Sequence, residues 1–66
     1  MTAEEIRALR EKMGLSREDF AHRVGTTGMT VYRWEAKGRK PMKMARKLLE
    51  LLKAEVEKEE QASTEA

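Results

Sequence analysis

The 66-residue chain contains no cysteine, one histidine, one proline and only three aromatic residues. Without cysteine, disulfide bonds and thiolate metal sites are excluded, and His22 alone cannot complete a zinc site. No segment approaches the roughly 20 apolar residues of a membrane span, and the N-terminus lacks the apolar stretch of a secretory signal. We therefore expect one small cytoplasmic domain, with no membrane association, that is stabilised by helix packing or oligomerisation.

Residue patterns that support catalysis are also missing from the sequence. It contains no paired histidine, aspartate and serine pattern of the catalytic-triad type, no cluster of metal ligands and no glycine-rich phosphate-binding loop. We therefore expect no catalytic residues, no bound metal and no cofactor, and we expect that the protein is not an enzyme.

Charge is distributed unevenly along the chain. Residues 1–53 carry 13 Lys and Arg against 7 Asp and Glu, whereas residues 54–66 carry one lysine against five glutamates. Seven of the cations fall within residues 33–47. Such a cluster is typical of a surface that binds nucleic acid, although a solvated helix face has the same composition. The division predicts a DNA-binding domain over residues 1–53 and, over residues 54–66, an acidic helical extension with a frayed or disordered tail.

Capping signals divide the first 38 residues into three short helices. Thr2 with Glu5 forms a capping box, Ser16 caps a second helix, and Thr27 caps a third helix at about residues 28–37. Each helix ends at a glycine suited to a left-handed turn: Gly14, Gly25 and Gly38. The short link between the second and third helices predicts a helix-turn-helix unit.

A fourth helix is expected to begin with Pro41 in its first position and to end in the high fifties. Its apolar face is predicted from residues that recur every four positions: Met44, Leu48, Leu52 and Val56. Leu49 and Val56 exceed what a small core can absorb. We therefore expect this helix to supply an apolar contact between two copies of the chain.

The third helix carries the functional prediction. Val31 and Trp34 are expected in the core, which turns four residues outward: Met29, Tyr32, Arg33 and Ala36. An exposed helix of this kind enters the major groove of DNA and contacts base edges. Glu35 lies near the inward face and needs a cation, for which Arg10 is the expected partner.

At these residues the chain resembles the phage lambda Cro and repressor superfamily of helix-turn-helix proteins, also called the xenobiotic-response-element type. The resemblance covers roughly residues 3–53 and depends on a joint pattern of positions: Leu15-Ser16, Phe20-Ala21, Val24-Gly25, Val31, Trp34-Glu35 and Pro41. It implies an all-α, compact bundle of four to five helices. It also implies a prokaryotic or phage regulator that binds two-fold operators on double-stranded DNA as a homodimer, usually as a repressor.

The resemblance also assigns the site. The family's base-reading positions fall at the start of the third helix and on its outer face: Thr27, Gly28, Met29, Thr30, Tyr32 and Arg33. Arg17 opens the second helix and is an expected phosphate contact. Because Gly28 has no side chain where the family commonly reads a base, Arg33 is the expected direct reader. The basic cluster adds four expected phosphate contacts: Lys37, Arg39, Lys40 and Lys43.

Three functions remain open at this level. The first is a sequence-specific transcriptional regulator. The second is the antitoxin of a toxin–antitoxin pair that autoregulates its operon, with an acidic tail that folds onto a protein partner. The third is a nonspecific architectural DNA-binding module, which the glycine at position 28 favours.

Overall fold

A computed structural model describes the backbone of residues 1–65 and the side chains of residues 1–62. This part of the chain contains four helices and no strand: α1 (Ala3–Lys12), α2 (Arg17–Arg23), α3 (Gly28–Ala36) and α4 (Lys43–Glu65). The expected all-α bundle is confirmed, with four helices. Within the described residues, no helix combines the length and the apolar character needed to cross a lipid bilayer.

Side-chain caps fix the starts of the first three helices. The Thr2 hydroxyl accepts a hydrogen bond from the backbone N–H of Glu5 at 3.2 Å, and the Glu5 carboxylate accepts one from the Thr2 N–H at 3.1 Å. Ser16 caps α2 and Thr27 caps α3 through the same kind of hydroxyl acceptor. These oxygens satisfy N–H groups that have no partner within a helix, so the three predicted starts are confirmed.

The turn between α2 and α3 depends on Gly25. Its φ of 70° lies in the left-handed region, which is costly for a residue with a Cβ atom. The next N–H, from Thr26, donates a hydrogen bond to the carbonyl of Ala21 at 2.9 Å. This turn holds α3 against α2 and sets the direction in which the outer face of α3 points.

The core lies where the four helices meet. The buried apolar residues among those described are Ile6, Leu9, Phe20, Ala21, Val24, Val31, Trp34 and Leu49. Trp34 is only 4% exposed, so it is a core residue, as predicted. Val31 is fully buried beside it, which confirms the predicted inward face of α3.

The apolar face of α4 differs from the prediction. Leu49 is completely buried, whereas Met44 is 78% exposed and Leu48 is 39% exposed. Two apolar stripes run along this helix, about 100° apart, because successive residues are offset by that angle. The core takes the stripe of Leu49, with Ala45, Leu52 and Val56 partly buried beside it. The prediction that Leu49 and Val56 exceed the core and supply an exposed dimer contact was therefore wrong.

The ends of α4 also differ from the prediction. The helix begins at Lys43, so Pro41 precedes it and does not occupy its first position. The carbonyl of Met42 accepts a hydrogen bond from the N–H of Arg46 at 2.8 Å, which makes Met42 the boundary residue. At its other end the helix extends to Glu65, past the high fifties. The predicted frayed or disordered tail includes residue 66, and that residue lies outside the described residues.

Candidate nucleic-acid interface

The outer face of α3 carries the residues that the sequence assigned to base reading. None of the six positions is buried: Thr27, Gly28, Met29, Thr30, Tyr32 and Arg33. Met29 is 59% exposed, although it is a large apolar side chain. The structure therefore brings these positions together on the first turn and the outer face of one helix.

Thr27 and Thr30 are linked at the start of α3. The Thr27 hydroxyl oxygen accepts a hydrogen bond from the Thr30 N–H at 3.3 Å, and the two hydroxyl oxygens lie 3.1 Å apart. One hydroxyl hydrogen is used in the bond between them. Since each hydroxyl carries one donor, the other remains available to a phosphate or a base edge.

Behind this surface, Glu35 is a fully buried carboxylate on the inner side of α3. Arg10 donates from Nε to Glu35 Oε2 at 2.7 Å and from Nη2 to Glu35 Oε1 at 3.0 Å. Two parallel charge-assisted hydrogen bonds of this kind are among the strongest side-chain contacts. A third donor of Arg10, Nη1, reaches the carbonyl of Leu15 at 3.1 Å. The predicted pair of Arg10 and Glu35 is confirmed.

Arg17 joins the same cluster, which the sequence did not reveal. Its Nε lies 3.3 Å from Glu35 Oε1, and its guanidinium stands over the Tyr32 ring, 5.3 Å from the ring centroid. Arg7 is a more distant neighbour, with its Nε 3.6 Å from the same oxygen. The Arg17 side chain remains 41% exposed. Two residues of α3 therefore hold Arg17 while part of its guanidinium faces solvent, and its phosphate contact stays a prediction.

The arginines control the ionisation of Glu35. Burial by itself raises the pKa of this carboxyl group, but the hydrogen bonds and charge of Arg10, with those of Arg17, lower the pKa below its ordinary value of 4.5. The hydrogen bond to Glu35 in turn raises the pKa of Arg10. At neutral pH the cluster therefore holds one ionised carboxylate and at least two guanidinium groups beneath the outer face of α3.

A groove of about 710 Å³ separates the flank of α3 from the start of α4. Val24 and Trp34 contribute apolar lining. Four cations also line it: Arg33, Arg39, Lys40 and Lys43. The backbone N–H of Arg39 donates to the carbonyl of Arg33 at 3.1 Å, which holds the basic segment of residues 37–43 against the end of α3. Lys37, the remaining expected phosphate contact, is exposed at the C-terminal end of α3.

Sequence reasoning missed Glu18, which packs against the start of α3. A Cβ atom placed on Gly28 would lie only 2.8 Å from Glu18 Cγ. Real Cβ atoms do not approach other atoms so closely, so a larger residue at position 28 would displace this side chain. The sequence showed only that Gly28 lacks a side chain, and nothing in its local pattern pointed to the residue beside it.

Together, α2, the Gly25 turn and the exposed α3 define a helix-turn-helix domain of the DNA-binding type. Comparison with protein families matches residues 6–58 to the family described as Helix-turn-helix. The match covers most of the chain, and the protein belongs to this family, which is that of the lambda Cro and repressor type. The resemblance seen in the sequence is thereby confirmed. Neither a curated protein nor a solved structure matched the chain.

Proposed function

We propose that the protein is a sequence-specific transcriptional repressor of prokaryotic or phage origin. In this proposal it occupies a two-fold operator in the cytoplasm. The observation that carries this proposal is the exposed face of α3, with a basic groove on one flank and Arg17 on the other. An exposed helix fits the major groove, and cations on both flanks suit the two phosphate strands that border it. In this proposal the protein works by occupancy and performs no catalysis.

Each part of the surface has a distinct role in the proposal. Arg33 forms a bidentate contact with the O6 and N7 atoms of guanine, which is the commonest specific contact. Met29 contacts a thymine methyl group. Phosphate contacts come from Arg17 and from the basic segment, and they orient the protein without reading sequence. The basic segment supplies four of them: Lys37, Arg39, Lys40 and Lys43.

In-vitro selection from randomised duplexes tests the proposal. We expect a two-fold symmetric sequence, bound about 10³-fold or more tightly than random DNA in anisotropy titrations at two salt concentrations. If no sequence is enriched and binding falls steeply with salt, the protein binds phosphates alone. That outcome would contradict the function of a sequence-specific repressor and favour that of a nonspecific architectural module.

Lys40→Ala is expected to weaken binding to the selected operator and to random DNA by the same factor. Lys40 is exposed at the groove and forms no ion pair with any described residue. Loss of one phosphate contact should reduce the slope of log K against log salt concentration by about 1. Anisotropy titrations between about 50 and 200 mM salt measure this slope. Lys58→Ala, on the acidic half of α4, is the matched control and should leave the slope unchanged. A loss confined to the operator would contradict the assignment.

We also propose that the protein binds its operator as a homodimer through the second apolar stripe of α4. Met44, Leu48 and Leu51 are spaced four and three residues apart, so they share one face, and Leu51 is 62% exposed. An exposed apolar stripe of this kind is typical of an interaction site.

The charges along α4 select a second copy of the chain as the occupant of this stripe. Residues 43–53 carry four cations and one glutamate, whereas residues 54–62 carry one lysine and four glutamates. If two α4 helices pair in antiparallel orientation, the basic half of each lies beside the acidic half of the other. Such a contact uses the same surface on both subunits, as two-fold symmetry requires.

Leu51→Glu is expected to convert the dimer to a monomer, because it places a charge on the most exposed leucine of the apolar stripe. Sedimentation equilibrium at tens of micromolar protein measures the association. Ala54→Glu adds the same charge to an exposed position on another face of α4, and it should leave the dimer intact. A wild-type chain that sediments as a monomer at this concentration would contradict the dimer contact.

The antitoxin function is a second candidate, favoured by the exposed acidic half of α4. In this case the glutamates of residues 54–62 bind a basic protein surface. The alternative keeps the DNA-binding role of α3 and predicts a mixed complex, with the partner bound to α4. Co-expression with the product of a neighbouring reading frame, followed by sedimentation of the purified protein, distinguishes a mixed complex from a homodimer.

A further inference from the structure

Glu18 and Gly28 fit together where α2 meets the first turn of α3. A Cβ atom on Gly28 would lie 2.8 Å from Glu18 Cγ and 3.5 Å from both the Cα and the backbone nitrogen of Glu18. Unlike Gly14, Gly25 and Gly38, Gly28 does not have a positive φ. Glycine at position 28 therefore permits the close approach of Glu18 and does not serve an unusual backbone conformation.

Glu18 presents an unused acceptor at this position. The residue is exposed, and its carboxylate forms no hydrogen bond or ion pair with the rest of the described chain. Its neighbour Arg17 is directed to Glu35 and Tyr32. An ionised carboxylate has acceptor oxygens and no donor, so it requires a partner that donates a hydrogen bond.

The major groove offers such a partner at cytosine. The N4 amino group of cytosine is a donor, and glutamate accepts a hydrogen bond from it, whereas guanine presents only acceptors in this groove. The phosphates on either side repel the carboxylate. A glutamate at the DNA surface therefore weakens binding to most sequences and regains part of that loss where cytosine faces it.

We propose that Glu18 is a specificity-determining residue that reads cytosine from the position where Gly28 has no side chain. The inference rests on the proposed function, since it requires α3 to enter the major groove. In this arrangement the glycine makes room for an acidic reader supplied by α2. Glu18 then reads the base that Gly28, which has no side chain, cannot contact.

Glu18 also has a structural role, which the test must separate from base reading. It lies in the first turn of α2, where a negative charge interacts favourably with the helix dipole. That interaction affects stability and has no influence on which base is chosen. The informative measurement is therefore the base selected at one position of each half-site.

In-vitro selection with the wild-type chain, Glu18→Gln and Glu18→Ala tests the inference. We expect a cytosine in each half-site for the wild type, favoured about tenfold or more over the other bases. Glu18→Gln should select adenine at the same position, because glutamine bonds to both N6 and N7 of adenine. Glu18→Ala should select no base there. Both variants should bind random DNA more tightly than the wild type, because a repelled charge is gone.

Glu50→Gln removes the same charge from an exposed site on α4 and should keep the wild-type preference. Thermal unfolding of each variant verifies that it is folded at the selection temperature. If the wild type selects an operator in which no base changes with residue 18, the Glu18 inference is overturned and the proposed function stands. If the wild type enriches no sequence, both are overturned.

Discussion

Glu35→Gln is expected to lower the free energy of unfolding by about 3 kcal/mol or more, the usual cost of removing one partner from a buried ion pair. The Glu35 side chain has no exposed surface, and its two oxygens accept hydrogen bonds from Arg10 and Arg17. Glutamine has the same shape but no charge, so the Arg10 guanidinium, only 16% exposed, loses the carboxylate charge to which it is hydrogen-bonded. Urea denaturation at neutral pH, followed by the fluorescence of the single tryptophan, measures the loss. For a domain this small, a loss of that size removes a large part of its stability.

The pH dependence of stability gives an independent test of the same cluster. Because folding lowers the pKa of Glu35, its contribution is complete above the unfolded value near 4.5 and is lost as the pH falls through the folded pKa. The difference in stability between the wild type and Glu35→Gln should therefore shrink below about pH 4.5. Glu50→Gln, at an exposed site, should cost little at any pH. A Glu35→Gln effect that is small at pH 7, or unchanged in strong acid, would contradict the role of the pair.

Arg33→Ala is expected to weaken binding to the selected operator by about 5- to 150-fold for each subunit contact, since a bidentate arginine–guanine contact provides about 1–3 kcal/mol of discrimination. Binding to random DNA should fall much less, because only one positive charge is lost there. In a two-fold complex the specific loss occurs at both half-sites. Anisotropy titrations on operator and random duplexes, at one fixed salt concentration, measure the two losses.

The matched control for Arg33 is Arg23→Ala. Arg23 is also exposed, but it lies beside α1 and α4, near Lys12 and Leu52. Its loss removes the same charge from a different surface and should change operator binding only slightly. Equal losses on operator and random DNA for Arg33→Ala would assign Arg33 to phosphate contact and leave the reading of guanine to another residue.

Most of the features of the fold that sequence alone predicted depend on neighbours within four residues. The caps at Thr2, Ser16 and Thr27 are local hydrogen bonds, so their spacing in the sequence is sufficient to place them. The inward positions of Val31 and Trp34 follow from helical periodicity. The partner of Glu35 was also predictable, because a buried carboxylate requires a cation and Arg10 belongs to the helix that packs against it.

The orientation of α4 was not predictable, because the sequence provides two apolar stripes on that helix. Periodicity identifies both stripes and does not choose between them. Which stripe faces the core depends on the direction in which residues 37–42 lead into the helix. Packing around Leu49 sets that direction. The same limit applies to the site. The approach of Arg17 to Glu35, or of Glu18 to Gly28, depends on the angle between α2 and α3, which leaves no periodic signal in the sequence.

The reversal of charge along α4 affects how the molecule is oriented as it approaches a polyanion, as well as what it contacts. Residues 1–53 carry a net charge of +6 and residues 54–66 a net charge of −4, so the protein is an electric dipole as well as a weak cation. In the field around a polyanion such a body experiences a torque before any contact is made. Its basic end turns towards the polyanion, and its acidic end points away from it. Added salt shortens the range of this torque, and productive collisions become rarer even where the bound complex is unchanged.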